Sequence, residues 1–568
     1  MNSSPHWRIR VLWGLIVFTA LFYTARLYWL QIVNVRVYIA QADHQYSSGA
    51  GTLYDRGSIF FSGKEGGLIS AASLESGFLF AINPSLIKDA SAAFEKISPF
   101  VSMTRDEFLA KASKSSDTYE EIAHRLDATV AGKIRALDAP WVILTREQWR
   151  FYPGGRLGSN VLGLVGYQGD IFSGRYGLER YYDDILSRSK ENPYTNLFVE
   201  LFSSSKDVLE GASIHGDIVS SVEPNVQAAL ERTLLDINNK WQPDSIGGIV
   251  INPQNGEIYA LAIWPTFDPN AFSTEKSPRV FSNPIVENVY EMGSIIKPLT
   301  MAIGIDTAVV SATTTYLDQG TLLLNGSRIS NFDKKGRGVV NMQEVLNQSL
   351  NTGAAFVEHK VGNARFADYM LKLGIGEETG IDLPNETHGL VSNLKSPRDL
   401  EYATAAFGQG IAMTPIETVR ALSAIANGGW LVTPHVVRAV RYEVGVSRAL
   451  ALDDRTQILQ GATSEEISRM LVNVYDHALA NGTVKIKNYS IAAKTGTAQI
   501  ANPAGGGYYN DRYLHSFFGY FPAYNSKFLV FLYAVYPKGV QYASETLTLP
   551  FVDMAKFLIS YYQVPPDR

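Results

Sequence analysis

The apolar segments after Glu223 constrain the fold more than any other feature of the chain. The stretch "SIGGIVINPQNGEIYALAI", residues 245–263, contains two apolar runs around Asn255-Gly256. Asn-Gly between such runs is a strong β-hairpin signal. A second group of apolar runs spans Tyr489 to Tyr536, and helical patterns fill the interval. Because strands at both ends can pair in one antiparallel sheet, the sequence predicts an α+β domain, residues 224–568, with an inserted helical lobe.

The preceding residues, 34–223, have a mixed pattern. The run "GFLFAIN", Gly77 to Asn83, predicts a strand, and the polar stretch from Thr104 to Leu126 predicts a helix. Clusters of Gly and Ser interrupt these segments repeatedly. We therefore expect residues 34–223 to form an elongated, mixed α/β pedestal of small lobes.

The amino terminus predicts a membrane anchor. Residues 11–25 carry no charge, and the apolar character continues to Val33. A helix over 11–33 rises roughly 35 Å, enough for a bilayer core of about 30 Å. Arg8 and Arg10 precede it, so the positive-inside rule leaves residues 1–10 in the cytoplasm and the rest outside. A cleaved signal peptide and a buried soluble helix are the alternatives, and we expect an uncleaved single-pass anchor.

Composition and missing motifs exclude several functional classes. The chain has no cysteine, which excludes disulfides and thiolate metal sites. The net charge of -5 gives no basic footprint for nucleic acid. No His-Glu-x-x-His, phosphate-loop or Gly-x-Ser-x-Gly motif occurs in the sequence. These observations argue against a metal site, a nucleotide site, a classical esterase and a nucleic-acid partner.

One Ser-x-x-Lys motif stands out from the others by its context. Ser294 follows Gly293 and precedes an apolar helical pattern, and Pro298 is tolerated only in the first turn of a helix. A helix that begins near Ser294 places Lys297 one turn on, on the same face. Other copies of the pattern, such as Ser85/Lys88, Ser203/Lys206 and Ser273/Lys276, lack this context.

A serine beside a lysine suits nucleophilic catalysis. The hydroxyl of Ser294 is a weak nucleophile until a base takes its proton, and Lys297 can be that base only when neutral. This requires its pKa to fall by roughly three units from about 10.4, which burial and a second cation would favour. Lys494 is the candidate second cation.

Two further segments supply polar groups. "AAKTGTA" predicts a strand in which Lys494, Thr495 and Thr497 could hold a substrate carboxylate, and Gly496 could admit a ligand backbone. "QSLNTG" offers Ser349 and Asn351, a hydroxyl to relay a proton and an amide to hold a peptide bond. Each motif alone has an ordinary structural interpretation, as a helix surface, a helix cap or a turn.

The ordered trio resembles a known set of motifs. Ser294-Ile-Ile-Lys297, Ser349-Leu-Asn351 and Lys494-Thr-Gly496 occur at spacings of 55 and 145 residues. They are similar to the active-site motifs of penicillin-binding proteins and serine β-lactamases. Further runs resemble the class B penicillin-binding proteins, the monofunctional peptidoglycan D,D-transpeptidases: "DRGSI", "WRFYPGG", "GRYGLERYYD", "FDPN", "FGQGIAMTP" and "GTAQ".

The resemblance implies a penicillin-binding transpeptidase fold and a mechanism. Ser294 would attack a stem-peptide D-Ala-D-Ala carbonyl, Lys297 would accept its proton, and Ser349 would pass a proton to the leaving D-alanine. Asn351 would position the donor peptide. Lys494, Thr495, Gly496 and Thr497 would form the carboxylate-binding strand. An amine of a second stem peptide would then resolve the acyl-enzyme into a cross-link, without metal or cofactor.

The resemblance also implies a place and partners. The protein would sit in the cytoplasmic membrane with its catalytic domain outside, bind stem peptides and β-lactams, and work with division or elongation membrane proteins. The run "YPKG", Tyr536 to Gly539, and the moderate pedestal favour the septal type. That type pairs with a glycosyltransferase of the shape, elongation, division and sporulation family.

Several alternatives share the trio of motifs. A D,D-carboxypeptidase or a β-lactamase would use the same serine, but neither explains the anchor and the long pedestal. A β-lactam sensor would need a larger transmembrane apparatus. A scaffold that recruits division or elongation proteins, with dispensable chemistry, is the alternative from a different class, and intact catalytic residues count against it.

Overall fold

The computed structural model describes residues 55–168, 171–188, 215–442, 447–450 and 455–568. The predicted cytoplasmic tail, 1–10, and the predicted anchor, 11–33, lie outside these residues. Among the residues that the structure describes, no helix is long and apolar enough to cross a membrane.

The chain divides into two compact units. The described part of the smaller unit is Asp55 with Leu74–Trp149, and the larger unit contains Arg56–Ser73 and Arg150–Arg568. The predicted boundary between residues 34–223 and 224–568 rests on a change in sequence pattern. The two compact units are instead defined by which residues contact one another in the folded chain. By that measure, part of the predicted pedestal belongs to the same unit as the predicted transpeptidase domain.

The smaller unit packs three helices against three strands around its own core. Phe80, Ile97, Phe108 and Ile134 are buried in that core. The unit's helices are Ala90–Ile97, Arg105–Ala112 and Ala128–Arg135, and its strands are Glu120–Leu126 and parts of Leu68–Ile82 and Val142–Phe151.

The predicted helix from Thr104 to Leu126 is wrong in its second half. The helix Arg105–Ala112 begins at a capping box formed by Thr104 and Glu107 and ends before Ser113. Glu120–Leu126 is instead a strand paired with Leu68–Ile82, and Ile122 is buried in the core. Cross-strand pairing and burial thus outweigh the helix propensity of this polar segment.

The larger unit is built on one five-stranded antiparallel sheet. Its strands are β1 (Ser245–Ile251), β2 (Ile258–Trp264), β3 (Ala492–Ala501), β4 (Tyr508–Phe521) and β5 (Phe528–Val535). In space the order is β3-β4-β5-β1-β2, so the two predicted strand groups pair where β5 meets β1. Asn255-Gly256 forms the β1–β2 turn, with Gly256 at a φ of 86°. The predicted antiparallel sheet is confirmed.

Helices cover both faces of the sheet, and for this reason the strands are nearly continuous apolar runs. The five main helices are α1 (Pro224–Trp241), α2 (Lys297–Asp306), α3 (Asn351–Val361), α4 (Gly461–Asn473) and α5 (Thr548–Tyr561). On one face of the sheet, α1 and α5 pack against alternate residues such as Val250 and Phe517. On the other face, where Ile249 and Phe518 are buried, lies the helical lobe, in which α2 packs against α3 and α4.

Shorter elements complete the larger unit. Its other α-helices are Ser159–Leu162, Gly177–Tyr181, Asp183–Leu186, Pro284–Glu287, Met342–Asn347, Asn363–Lys372, Asp399–Ala405, Pro415–Ala426 and Ala543–Thr546. Its other strands are Ile59–Ser62, Val165–Gln168, Ile171–Gly174, Gly216–Ser220, Thr315–Asp318, Thr321–Leu324, Ser327–Ser330, Gly338–Asn341, Trp430–Leu431, Val437–Tyr442, Ser447–Ala449 and Thr456–Gln457.

A buried ionic network joins distant segments of the larger unit. Glu179 is fully buried and accepts hydrogen bonds from Arg56 Nε and Arg150 Nε, each at 2.6 Å. Arg150 also donates to the carbonyl of Gly57 at 2.7 Å. Burial raises the pKa of Glu179, but the guanidinium groups of Arg150 and Arg56 hold this pKa below its ordinary value. One carboxylate therefore fastens segments that are far apart in sequence.

Glu179→Gln is expected to lower the free energy of unfolding by about 3–5 kcal/mol, because it removes the buried carboxylate that both guanidinium groups contact and leaves Arg56 only its pair with Asp183. Urea unfolding of the full chain, followed by tryptophan fluorescence, measures the loss. The matched control is Glu466→Gln, which breaks the solvent-exposed pair with Arg469. That change is expected to cost about 0–1 kcal/mol. Equal losses in the two variants would contradict the role given to the buried network.

Candidate active site

Ser294 lies in a turn that leads directly into α2. Gly293 has a φ of 66°, residues Gly293–Ile296 form a 3-10 turn, and α2 begins at Lys297 with Pro298 in its first turn. Ser294 Oγ and Lys297 Nζ are 2.9 Å apart. The predicted helix start and the predicted meeting of hydroxyl and amine are both confirmed.

Two close backbone contacts position this turn. A Cβ atom on Gly408 would lie 2.2 Å from the carbonyl oxygen of Gly293, so the loop can approach only as glycine. A Cβ atom on Gly496 would lie 2.3 Å from Ser516 Oγ and 2.7 Å from the carbonyl oxygen of Met292. The sequence suggested that Gly496 admits a ligand backbone. In the structure it admits the protein's own backbone, and β3 thereby lies directly against the Ser294 turn.

Ser349 bridges the two lysines. It lies between the helices Met342–Asn347 and α3 with a φ of 55°, a left-handed conformation that costs a residue with a side chain of order 1–3 kcal/mol. Its carbonyl oxygen is 2.6 Å from Lys297 Nζ. Its Oγ is 3.1 Å from Lys297 Nζ and 3.0 Å from Lys494 Nζ. The strained turn thus directs both oxygens of one residue to the same amine.

The hydrogen-bond count fits one neutral and one charged lysine. A neutral Lys297 can donate to the two Ser349 oxygens and accept the proton of the Ser294 hydroxyl on its lone pair. A charged Lys494 can donate to Ser349 Oγ and to the Thr495 carbonyl, which is 3.1 Å away, and keeps one N–H for a ligand. This division gives each amine nitrogen and each oxygen of the cluster at least one partner and leaves one Lys494 N–H for a ligand.

Burial supports the same division. Lys297 and Lys494 are 1% and 3% exposed. Burial, and then the charge of Lys494, lower the pKa of Lys297 well below its ordinary value. Burial lowers the pKa of Lys494 to about 8. Near neutral pH, Lys494 is therefore mostly charged while Lys297 is the amine that loses its proton first.

The remaining predicted residues lie near this cluster and bond to other groups. Asn351 Nδ2 donates to the carbonyl of Ser330 at 2.8 Å. Thr497 Oγ1 accepts a hydrogen bond from the backbone N–H of Ala543 at 3.0 Å. Thr495, Thr497 and Asn351 are all partly exposed. The structure thus brings Ser294, Lys297, Ser349 and Lys494 into one hydrogen-bonded cluster and places the other predicted side chains outside that cluster.

Sequence reasoning missed the residues that support this cluster. Ser516 Oγ donates to the carbonyl of Met292 at 2.8 Å, and Ser516 is the cross-strand partner of Gly496. Asp318 accepts hydrogen bonds from Thr352 Oγ1 at 2.8 Å and from Asn331 Nδ2, and so holds the first turn of α3. A β3–β4 register assigned from sequence would have pointed to Ser516. No sequence pattern pointed to Asp318.

The described residues contain no group of three or more histidine, aspartate or glutamate side chains that could hold a metal ion. The expectation that neither metal nor cofactor takes part stays a prediction. The arrangement itself offers a partly exposed hydroxyl, an adjacent buried amine of lowered pKa, and a second cation beside the exposed strand residues. These are the parts that acyl transfer through a serine ester requires.

Known proteins resemble this chain along most of its length. Stage V sporulation protein D of Bacillus subtilis is 28% identical over 552 residues, 95% of this chain and 83% of that protein. The peptidoglycan D,D-transpeptidase FtsI of Buchnera aphidicola is 22% identical over 572 residues, 99% of this chain and 96% of that protein. The crystal structure of penicillin-binding protein 3 from Mycobacterium tuberculosis with aztreonam matches with a TM-score of 0.69 and 22% identity, covering 91% of this chain and 98% of that one.

The model of one protein family matches a large part of the larger unit. This family is the penicillin binding protein transpeptidase domain, and its model matches residues 246–552, more than half of the chain. The matched range contains the sheet, the helical lobe and all the predicted site residues. This protein therefore belongs to the penicillin-binding protein transpeptidase family, and its class B resemblance, predicted from the motifs, is confirmed.

Proposed function

We propose that this protein is a peptidoglycan D,D-transpeptidase that cross-links stem peptides through an acyl-enzyme on Ser294. The observation that carries the proposal is the cluster in which Lys297 Nζ contacts Ser294 Oγ at 2.9 Å and Ser349 Oγ at 3.1 Å. The relative from Buchnera aphidicola bears the same activity in its name.

Acylation follows from these contacts. The neutral amine of Lys297 takes the proton of Ser294 as Oγ attacks the carbonyl carbon of the penultimate D-alanine. The C–N bond then breaks, and Ser349, hydrogen-bonded to both lysines, passes its proton to the departing amine of the terminal D-alanine and takes the Ser294 proton from Lys297, which becomes neutral again. The product is an ester between Ser294 and the donor peptide.

Recognition and transfer use the strand beside the serine. Lys494 and the hydroxyls of Thr495 and Thr497 hold the carboxylate of the terminal D-alanine, and Gly496 keeps β3 against the serine turn. Asn351 holds the donor peptide. The amine of a second stem peptide then attacks the ester, restores the Ser294 hydroxyl and forms the cross-link. A β-lactam enters by the same acylation step.

The proposal includes a place and a partner. Residues 11–33 would anchor the chain in the cytoplasmic membrane with residues 1–10 inside and the transpeptidase outside. The uncharged run and the preceding Arg8 and Arg10 support this topology. A septal role beside a glycosyltransferase of the shape, elongation, division and sporulation family rests on the sequence motifs and the class B membership.

Labelling with a fluorescent penicillin tests the nucleophile. The full chain is expected to form a stable 1:1 adduct, seen by intact mass, and Ser294→Ala is expected to form none. Ser273→Ala, in a Ser-x-x-Lys copy outside the cluster, is the matched control and is expected to label normally. Rapid drug turnover would indicate a β-lactamase instead. Release of D-alanine to water without cross-linking of stem peptides would indicate a carboxypeptidase.

The rate of acylation is expected to fall as the pH rises past about 8, because Lys494 loses the charge that binds the carboxylate of the β-lactam. Below that pH Lys494 keeps its charge, so this group causes no change of the acylation rate with pH. The measurement is the second-order rate of acylation by benzylpenicillin on both sides of this pH. Lys494→Arg keeps its charge and is expected to lack the alkaline fall, although its absolute rate is lower. An alkaline fall that persists in Lys494→Arg would contradict this assignment.

The absence of cysteine allows a direct test of topology. Ser4→Cys is expected to resist a membrane-impermeant maleimide on intact spheroplasts, because residues 1–10 would be cytoplasmic. Ser273→Cys, in the transpeptidase domain, is expected to react. Reaction of both cysteines on intact spheroplasts, or of neither, would contradict the proposed orientation, and permeabilised spheroplasts provide the control for reactivity.

A further inference from the structure

The segment Gln541–Thr546, which follows β5, controls the orientation of one predicted recognition residue. The backbone N–H of Ala543, at the start of the helix Ala543–Thr546, donates to Thr497 Oγ1 at 3.0 Å. A hydroxyl that accepts from a fixed N–H has one lone pair occupied and its side chain held in place. Its own proton then remains available as a donor to a ligand.

His515 fastens this segment at two points. It lies on β4 directly opposite Thr497 and is fully buried. Its Nε2 is 3.0 Å from the carbonyl oxygen of Gln541, and its Nδ1 is 2.8 Å from Thr546 Oγ1. A carbonyl oxygen only accepts, so Nε2 carries the proton and Nδ1 accepts from the Thr546 hydroxyl. One imidazole therefore binds both ends of the segment that holds Thr497.

Packing alone does not explain a histidine here. Phe517, the next residue on the same face of β4, is buried and apolar, and an apolar side chain at position 515 would fill the site without a cost of desolvation. Burial lowers the pKa of His515 to about 4, so the ring is neutral at physiological pH. Both of its nitrogens bond to the segment Gln541–Thr546.

The segment also reaches a second part of the site. Tyr542, next to Ala543, places its ring 6.0 Å from the ring of Phe332, edge to face. Phe332 follows Asn331, which accepts a hydrogen bond from the backbone N–H of Thr352 in the first turn of α3. A displaced segment would therefore disturb the contact with Thr497 on β3 and the aromatic contact beside α3.

We propose that His515 is a positioning residue for recognition of the substrate carboxylate. It holds Gln541–Thr546 so that the Ala543 N–H keeps the Thr497 hydroxyl directed towards the carboxylate bound by Lys494. This inference rests on the proposed transpeptidase function. It adds a residue that touches neither the substrate nor the reacting atoms.

A double-mutant cycle on the full chain tests the inference. His515→Phe fills the space without hydrogen bonds and is expected to lower the second-order rate of acylation by benzylpenicillin roughly 3- to 10-fold, the size of one hydrogen bond. Thr497→Val is expected to lower it at least as much. The double variant is expected to match Thr497→Val alone, because His515 acts through Thr497. Losses that multiply, or a normal rate in His515→Phe, would overturn the proposal.

The methyl ester of benzylpenicillin separates recognition from general damage. Because it has no carboxylate, His515→Phe is expected to leave its slower acylation within about twofold of the wild type, whereas distortion of the serine cluster would slow both compounds equally. His435→Phe is the matched control. His435 is also buried with a ring nitrogen bonded to a backbone carbonyl, and it lies outside this segment. It is expected to change stability and not the ratio of the two rates.

Thr546→Val keeps the cycle decisive if His515→Phe does not fold. It removes the hydroxyl that contacts His515 Nδ1 and, at 3.2 Å, the carbonyl oxygen of Ala543, and it keeps the shape of the side chain. It is expected to lower the benzylpenicillin rate in the same direction and again without further effect in Thr497→Val. No acylation of the wild-type chain would contradict the proposed function, and the inference would fall with it. Normal wild-type acylation with unchanged rates in both variants would contradict the inference alone.

Discussion

The site depends on one close contact between three backbone segments. The loop at Gly408, the turn at Gly293 and strand β3 at Gly496 approach to distances that no Cβ atom allows. This contact places the Ser294 turn against β3, and β3 carries Lys494. Dispersion and hydrogen bonds across such a contact form only when each of the three segments keeps its conformation. The packed cores of the sheet and the helical lobe fix these conformations.

That contact makes an otherwise unfavourable arrangement of charges possible. Two buried amines near one hydroxyl would repel each other if both were charged, and burial penalises each charge separately. The protein resolves this by giving up the proton of Lys297 and keeping that of Lys494, whose pKa is lowered only to about 8. Ser349, in its strained turn, supplies oxygens that accept hydrogen bonds from the neutral Lys297 and from the charged Lys494. The strain and the buried charge both destabilise the fold, and both belong to the arrangement on which the proposed reactivity of Ser294 rests.

Polar residues buried away from the serine have two different roles. Glu179 holds Arg56 and Arg150 and with them segments that sequence separates widely, which is a structural role. His515 is also buried and fully bonded, but its partners lie in the segment that contacts Thr497. Burial and satisfied hydrogen bonds are common to both residues. The two residues differ in their partners: Glu179 binds two arginines away from the serine, whereas His515 binds the segment whose backbone contacts Thr497.

The sequence by itself determined the parts with local or periodic signals. The Asn255-Gly256 turn, the apolar strands, the helix start at Ser294 with Pro298, and the ordered trio of motifs were all readable, because turn chemistry, periodicity and spacing act within a few residues. It misassigned Glu120–Leu126, where pairing with a distant strand outweighs local propensity.

Only the tertiary structure decided which groups meet. It brought Lys494 to Ser349 across 145 residues of chain. It set Asp318 under α3 and His515 against Gln541–Thr546, and it assigned Gly496 to a contact within the protein. Register, burial and the approach of one backbone to another are properties of the packed chain, and they set the distances and the protonation states on which the chemistry proposed for Ser294 depends.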